Sequence, residues 1–352
     1  MTAVSLVLAT VAVFLSLLAV FLHQWITVVP QLGIGMLYHR RRIRIGLAAG
    51  SLGLAGVGYA VSPTRVQLGL LGLVVLLTPL SGFLHAGRLF VPLDSPDHVT
   101  ADDGDVDGET RVVGTAVGGQ AHAWTVDTLV PHHLVNDQVD GRPVLAAWCA
   151  YCNSGIVFDP VVDGQRLTFE PLAVYRRNMV MRDRETGTLW QHATGEALAG
   201  PLAGTRLDGL GGQLTTWRAW HDEQPETTLA VEPDEGEWAG LLPRDRTRRL
   251  AAGTERVELP GATATDTRLP FTEVVVGVEI GGEATAYPLA TLRERGSLGD
   301  TIGGVPVALT YEAESDRVDV TSGGEPVAFQ RTRWMGWFEF HPETEVYEAP
   351  TG

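Results

Sequence analysis

The feature that most constrains this chain is a segment written twice, with cysteines in only one of the copies. Residues 112–150 align with residues 275–313 at an offset of 163, without a gap and with 14 identities over 39 positions. Val112-Val113-Gly114 meets Val275-Val276-Gly277, Gly118-Gly119 meets Gly281-Gly282, and Asp137 meets Asp300. Where the first copy reads Trp148-Cys149-Ala150-Tyr151-Cys152, the second reads Tyr311-Glu312-Ala313-Glu314-Ser315. Further on, Thr215, Trp217, Trp220 and Pro225-Glu226-Thr227 match Thr332, Trp334, Trp337 and Pro342-Glu343-Thr344 at an offset of 117. The offset falls by 163 − 117 = 46, so the first copy holds about 46 residues that the second lacks, placed between Glu170 and Gln213. What both copies keep belongs to the scaffold. Chemistry is expected where they differ, at the C-x-x-C and in the insert 171–213.

Charge divides the chain in another way. The first 90 residues contain six Arg and no Asp or Glu, whereas residues 91–352 hold all 42 acidic residues and 20 Arg. There is no lysine, which excludes a P-loop phosphate clamp and any lysine Schiff base. Without a basic patch, nucleic acid is excluded as a partner. A lysine-free, acidic surface stays hydrated in high salt, where its self-repulsion is screened, and so predicts a salt-loving archaeon as the source.

Three apolar runs, Ala3 to Leu22, Ile43 to Val61 and Val66 to Leu84, predict three transmembrane helices within a membrane anchor of residues 1–90. Arg40, Arg41, Arg42 and Arg44 lie in the first loop, only Arg65 in the second, and Arg88 after the third run. With three spans, this bias puts the soluble region on the cytoplasmic side, with the lipid bilayer as a partner. Apart from Arg44 at the start of the second run, none of the runs contains a charged residue, and none has a buried Asp, Glu, Lys or Arg, so the spans read as an anchor and not as a transport path.

Residues 91–110 read as an acidic linker. Asp103-x-Asp105-x-Asp107-Gly108 resembles the start of a calcium loop, but the twelfth position is Gly114 where a bidentate Glu is needed, and that reading fails. Beyond it, short runs rich in Val, Ile, Thr and aromatics alternate with glycine turns. The soluble region is predicted to be mainly β, a β-rich α+β fold of two related modules, 111–230 and 271–352, joined by a connector over 231–270. Gly118-Gly119 and Gly281-Gly282 predict two-residue hairpins. Short helices are expected over 126–136, 216–223, 289–298 and 333–340.

Cys149 and Cys152 are the only cysteines in the chain. A thioredoxin-type pair would open a long helix, but here Asn153-Ser154-Gly155 lead into a strand. A c-type haem needs His after the second Cys, and an iron–sulfur cluster normally needs four cysteines. Three readings stand. One is a zinc or copper site that adds His132 or His192 to the two thiolates. The second is a thiol-redox pair, and the third is an inert structural pair.

The first copy resembles the DUF3179 family, a domain family of unknown function. The residues carrying the resemblance are Asn136-Asp137, Trp148-Cys149-x-x-Cys152-Asn153-Ser154, Phe158-Asp159, Asp183-Arg184, Leu189-Trp190, Thr194-Gly195-Glu196 and Gly200-Pro201-Leu202-Ala203-Gly204-Thr205. The family pattern tends to carry Pro-Leu between the cysteines, where this chain has Ala150-Tyr151, and Ser-Gln where it has Gln191-His192. The resemblance strengthens His132 as a ligand and weakens His192, and it implies little about activity. The predicted site comprises Cys149, Cys152, Asn178 and Gln191 as catalytic residues acting on a small molecule, with Trp190 lining a cofactor pocket. Cys149, Cys152, His132 and His192 are the predicted metal ligands. The rival expectation is a binding or structural module without turnover.

Overall fold

The computed structural model describes residues 2–29, 32–80, 90–232, 238–239, 242–243 and 266–348. The chain forms two compact units, 1–88 and 89–352. The described part of the first unit is helical: α1 (Ala3–Val20), α2 (Leu22–Val28), α3 (Gly33–Tyr38), α4 (Arg40–Val61) and α5 (Arg65–Leu80). Small residues let its long helices meet. Ala9, Ala12, Ser51 and Ala55 are buried, a Cβ on Gly58 would stand 3.3 Å from the Ser5 carbonyl, and Gln67 Nε2 donates to that same oxygen at 2.9 Å. Among the described residues, α1 and α4 are the two helices long and apolar enough to cross a membrane. Among the described residues the expectation of three such helices is corrected to two: the described part of α5 has 16 residues and contains Pro79, about 24 Å at 1.5 Å per residue against a hydrocarbon core of about 30 Å. Residues 81–84 of the predicted third run lie outside the described residues.

The second unit is mainly β. Its first half runs β1 (Leu93–Asp94), β2 (Asp97–Thr100), β3 (Arg111–Val117), β4 (Gln120–Thr125), α6 (Val126–His132), β5 (Leu134–Val139), β6 (Arg142–Cys149) and β7 (Ser154–Asp159). After the small hairpin β8 (Val161–Val162) and β9 (Gln165–Arg166) come β10 (Phe169–Tyr175), β11 (Asn178–Asp183), β12 (Leu189–Gln191) and β13 (Ala197–Ala199). The half closes with β14 (Asp208–Gly209), β15 (Gln213–Thr216), α7 (Trp217–Glu223) and β16 (Thr228–Val231). Two short strands, β17 (Trp238–Ala239) and β18 (Leu242–Pro243), are described in the connector; its remainder over 233–265 lies outside the described residues. The second half is β19 (Val274–Ile280), β20 (Glu283–Pro288), α8 (Leu289–Arg295), β21 (Ser297–Ile302), β22 (Val305–Glu312), β23 (Arg317–Ser322), β24 (Glu325–Pro326), β25 (Phe329–Arg333), α9 (Trp334–Phe338) and β26 (Glu345–Val346).

The two halves have corresponding sheets. In the first the strand orders are β15-β3-β4-β16-β2 and β1-β5-β6-β7-β14; in the second they are β25-β19-β20-β26 and β21-β22-β23-β24. Among the described residues the first half therefore has β2 in one sheet, β1 in the other, and the separate sheet β10-β11-β12-β13, without counterparts in the second. Three expected boundaries move. Residues 91–110 are not wholly linker, because Leu93–Asp94 pairs with β5 and Asp97–Thr100 with β16, edges that recruit even polar residues through their open backbone groups. The extra segment lies between β7 and β14, about residues 160–207 rather than 171–213. The first expected helix ends at His132, since His133 adopts φ 63° and the chain turns directly into β5.

Local chemistry explains the shared parts. Gly118-Gly119 (φ 65° and 93°) and Gly281-Gly282 (φ 63° and 87°) make the tight hairpins β3–β4 and β19–β20 with both central residues left-handed. Gly114 and Gly277 lie under tryptophans: an added Cβ would meet the ring of Trp220 at 2.5 Å and that of Trp337 at 2.3 Å. Each indole is held from its far side, Trp220 Nε1 donating to Thr227 Oγ1 and Trp337 Nε1 to Thr344 Oγ1, both at 2.9 Å. The repeated tryptophans are thus core residues with a bound polar edge.

The halves also grip each other reciprocally. The Cys152 carbonyl accepts from Thr332 Oγ1 at 3.2 Å and from the Arg333 N–H at 2.9 Å. The Ser315 carbonyl accepts from Thr215 Oγ1 at 2.8 Å and from the Thr216 N–H at 3.4 Å. Cys152 and Ser315 align at offset 163, and Thr215-Thr216 and Thr332-Arg333 at offset 117. Each half thus presents the turn after its second long strand to the threonine that precedes the other half's tryptophan helix.

Candidate functional site

β6 ends at Cys149, and β7 begins opposite it, since Cys149 pairs with Ser154. The four-residue turn between them closes with Asn153 at φ 50° and carries both thiols inward. Cys149 and Cys152 are 1% and 0% exposed, and their Sγ atoms lie 3.2 Å apart. Around them pack Phe158, Phe169, Met179, Met181 and Trp190. A buried polar group needs partners, and the added sheet supplies them. Asn178 Nδ2 donates to Cys152 Sγ at 2.9 Å. Asn178 Oδ1 accepts from Gln191 Nε2 at 2.9 Å and from the Ala193 N–H at 3.2 Å. The turn that sets Asn178 in place is Arg176-Arg177, two non-glycine residues at φ 50° and 57° between β10 and β11. Such backbone is strained and persists when the surroundings fix it. Here they do: Arg176 pairs with Glu339 of the second half, and the Arg177 carbonyl lies 3.7 Å from Cys152 Sγ.

The two thiols are pushed apart electrostatically. Burial alone would raise Cys149. Hydrogen bonds from the Cys152 thiol and from the backbone N–H groups of Cys152, Met179 and Tyr151 outweigh it and hold Cys149 below the ordinary thiol range. Cys152 goes well above that range, through its hydrogen bond to Cys149 and through burial, against donation from Asn178 and the charge of Arg333. Of the two, Cys149 therefore ionises more readily and Cys152 holds its proton more tightly.

Four of the sequence-predicted residues, Cys149, Cys152, Asn178 and Gln191, therefore form one hydrogen-bonded chain. The others stand elsewhere. Trp190 is fully buried in the core with its Nε1 donated to Asp183 Oδ2 at 2.8 Å, so it packs and does not line a cofactor pocket. His132 is the last residue of α6, its Nδ1 2.7 Å from the Val91 carbonyl and its Nε2 3.6 Å from Glu232. His192 is wholly buried, and burial first, then the nearby His133, hold it down at about 4 and therefore uncharged. Neither histidine joins the thiols as a metal ligand: among the described residues, the trio of such side chains with all ligand atoms within 4.8 Å is His98, His122 and Asp137. The predicted ligand set fails because His132 ends a helix on the far side of β5, while His192 follows a strand whose three residues are all buried, so that alternation does not say which way a neighbour points.

Sequence reading missed the second half's share. Thr332 and Arg333 bind the Cys152 carbonyl, Arg333 Nη1 donates to the Tyr151 carbonyl at 3.0 Å, and a Cβ on Gly336 would stand 3.0 Å from Cys152 Sγ. The repeated threonine was the available signal. A cavity of about 280 Å³ opens between the halves, lined by Gly155, Ala193, Thr194, Gln330, Trp337 and His341 among others. The thiols do not line it. Ala193 stands between, its N–H on Asn178 and its carbonyl accepting from Gln330 Nε2 at 2.6 Å.

A family model described as a protein of unknown function, DUF3179, matches residues 91–325, two thirds of the chain, covering the first half and the second as far as β24. No curated protein and no solved structure matches.

Proposed function

We propose, for a chain that belongs to the DUF3179 family, that Cys149 and Cys152 form a thiol–disulfide exchange centre acting on a small disulfide, in a membrane-anchored protein built from two copies of one module. The observation that carries this is the opposite tuning of two sulfurs already 3.2 Å apart. The Cys149 thiolate attacks one sulfur of the substrate disulfide and expels the other as a thiolate. Cys152 then loses its proton, attacks Cys149 Sγ and expels the second substrate thiolate. The protein pair is oxidised by two electrons and the substrate disulfide is reduced by two. The cavity beside Ala193 is the route in, and access requires the halves to part at Arg333 and Gly336. Zinc or copper is the weaker reading at this place, because among the described residues no imidazole or carboxylate completes a close set of ligands with the two thiols, which leaves a four-coordinate site half built. Helices α1 and α4 serve as the membrane anchor, and the acidic, lysine-free surface suits a high-salt environment.

A second reading has its own support: the total burial of Cys152 and its grip on Thr332 and Arg333 suit a structural clasp without turnover. Equilibrating the full-length chain with reduced and oxidised glutathione, then alkylating and weighing it, separates the two. The exchange reading predicts a single two-electron transition in the folded protein, abolished by Cys149→Ser, and a glutathione adduct trapped on Cys149 by Cys152→Ser. Thiols that stay reduced and unlabelled until the protein unfolds would leave only the clasp.

A further inference from the structure

We propose that His98, His122 and Asp137 form a binding site for one divalent transition-metal ion of the zinc class, separate from the cysteine pair. His98 Nε2 is 2.9 Å from Asp137 Oδ1, His122 Nε2 is 3.5 Å from Asp137 Oδ2, and the three ligand atoms all lie within 4.8 Å of one another. Metal–ligand bonds of about 2.0–2.2 Å at tetrahedral angles place neighbouring ligand atoms about 3.3 Å apart, so this spacing suits a shared ion.

The imidazoles are prepared for the role. His122 is fully buried, and its Nδ1 lies 2.6 Å from Thr228 Oγ1. A proton on Nδ1, shared with that hydroxyl, leaves the Nε2 lone pair free, and Nε2 is a buried nitrogen without a hydrogen-bond partner, aimed at Asp137. The carboxylate is fixed by other groups: Oδ2 accepts from Trp124 Nε1 at 2.9 Å and Oδ1 from the Gln138 N–H at 2.8 Å. These are the outer contacts that orient a ligating carboxylate. The His98 side chain is 30% exposed, which leaves the trio a solvent side for entry and for a water ligand.

The second half isolates what was added. There Asp300 Oδ2 accepts from Tyr287 Oη at 2.9 Å and Oδ1 from the Thr301 N–H at 2.8 Å, the same two contacts on the aligned aspartate. At the position of His122 stands Thr285, and among the described residues β2, which carries His98, has no counterpart. The aspartate belongs to the scaffold, and the first half surrounds it with two imidazoles that the scaffold does not need. Three ligands with an open position are the arrangement of ions that bind and activate water or a substrate.

The test is metal binding by the full-length chain after chelator treatment, with Zn²⁺ followed by equilibrium dialysis and elemental analysis and Co²⁺ by its visible absorption. The expected result is one Zn²⁺ per chain and a Co²⁺ spectrum without thiolate charge-transfer bands. Cys149→Ser/Cys152→Ser leaves both unchanged. His98→Gln, at a partly exposed position where folding is retained, weakens binding at least ~100-fold, and Thr228→Val, which frees the His122 ring, weakens it ~10–100-fold. No stoichiometric Zn²⁺ in the wild type, binding unaltered by His98→Gln, or binding lost with the cysteines would each overturn the proposal. None of these outcomes depends on whether the cysteine pair exchanges disulfides.

Discussion

Replacing Asn178 by Ala separates what the added sheet does for the fold from what it does for the thiols. Asn178 is 1% exposed and makes three contacts, donating to Cys152 Sγ and accepting from Gln191 Nε2 and the Ala193 N–H. Its removal orphans the buried Ala193 N–H, at about 1–3 kcal/mol, and leaves Gln191 Nε2 with only the longer contact to the Met179 carbonyl at 3.3 Å. Together these amount to a destabilisation of about 2–4 kcal/mol, read as a lowered denaturation midpoint at constant slope. The redox effect has a definite sign. Asn178 pulls Cys152 down against its larger upward pushes, so losing it raises Cys152 further. Capture of the disulfide by Cys149 proceeds, while resolution by Cys152 slows ~10-fold or more, the equivalent of one hydrogen bond to a charged group of about 1.5–3 kcal/mol. Stopped-flow mixing with oxidised glutathione, quenched with acid and weighed, would show the mixed disulfide accumulating on Cys149. A midpoint within about 0.5 kcal/mol of wild type would refute the hydrogen-bond accounting, and an unchanged resolution rate would refute the role of Asn178 at the sulfur.

Gly277→Ala places a Cβ 2.3 Å from an indole that Thr344 holds in place, and about 1–3 kcal/mol of overpacking is expected, whereas Gly299→Ala, with its nearest atom at 3.9 Å, stays within about 0.5 kcal/mol; thermal unfolding of the two variants tests this. Stability is expected to be flat above pH ~6.5 and to fall between ~6.5 and ~4, because burial holds His133 and His192 at about 4 in the folded state and the unfolded chain takes up their protons first. The loss is up to about 3 kcal/mol for each ring, and an unfolding midpoint unchanged from pH 7 to pH 5 would contradict it. Thr215→Val and Thr332→Val each remove one hydroxyl from a reciprocal contact, so both should lower stability by about 1 kcal/mol, but only Thr332→Val should speed alkylation of Cys152.

The parts of the site legible in the sequence were those that the second copy lacks. Cys149, Cys152, Asn178 and Gln191 all fell inside the differences between copies, and the fold brings these four together. The same logic misplaced Trp190, His132 and His192, because absence from one copy says nothing about which face a residue takes: Leu189, Trp190 and Gln191 are all buried, so the period of two carries no signal there. His98 was invisible for another reason. Asp97–Thr100 has no apolar alternation, and it becomes a strand only because β16 offers it an open edge. The Arg176-Arg177 turn lacks the glycine or asparagine that announces such a bend, and its conformation is fixed by Glu339, 163 residues away. Glycine turns and the Gly–Trp packing, by contrast, are local or repeated, and both were read directly.

Two separate copies joined by the reciprocal grip of Cys152 on Thr332 and Ser315 on Thr215 would form a symmetric pair. Every change in one partner would then be forced on the other, and the pair would fall apart on dilution. Written into one polypeptide, the same contact holds at any concentration, and the two sides are released from having to match. One side is then free to lose its sulfur and become a fixed counter-surface, and the other to gather an extra sheet. In this chain asymmetry is the working property: Ser315 needs only its carbonyl, so that Cys152 can use its thiol.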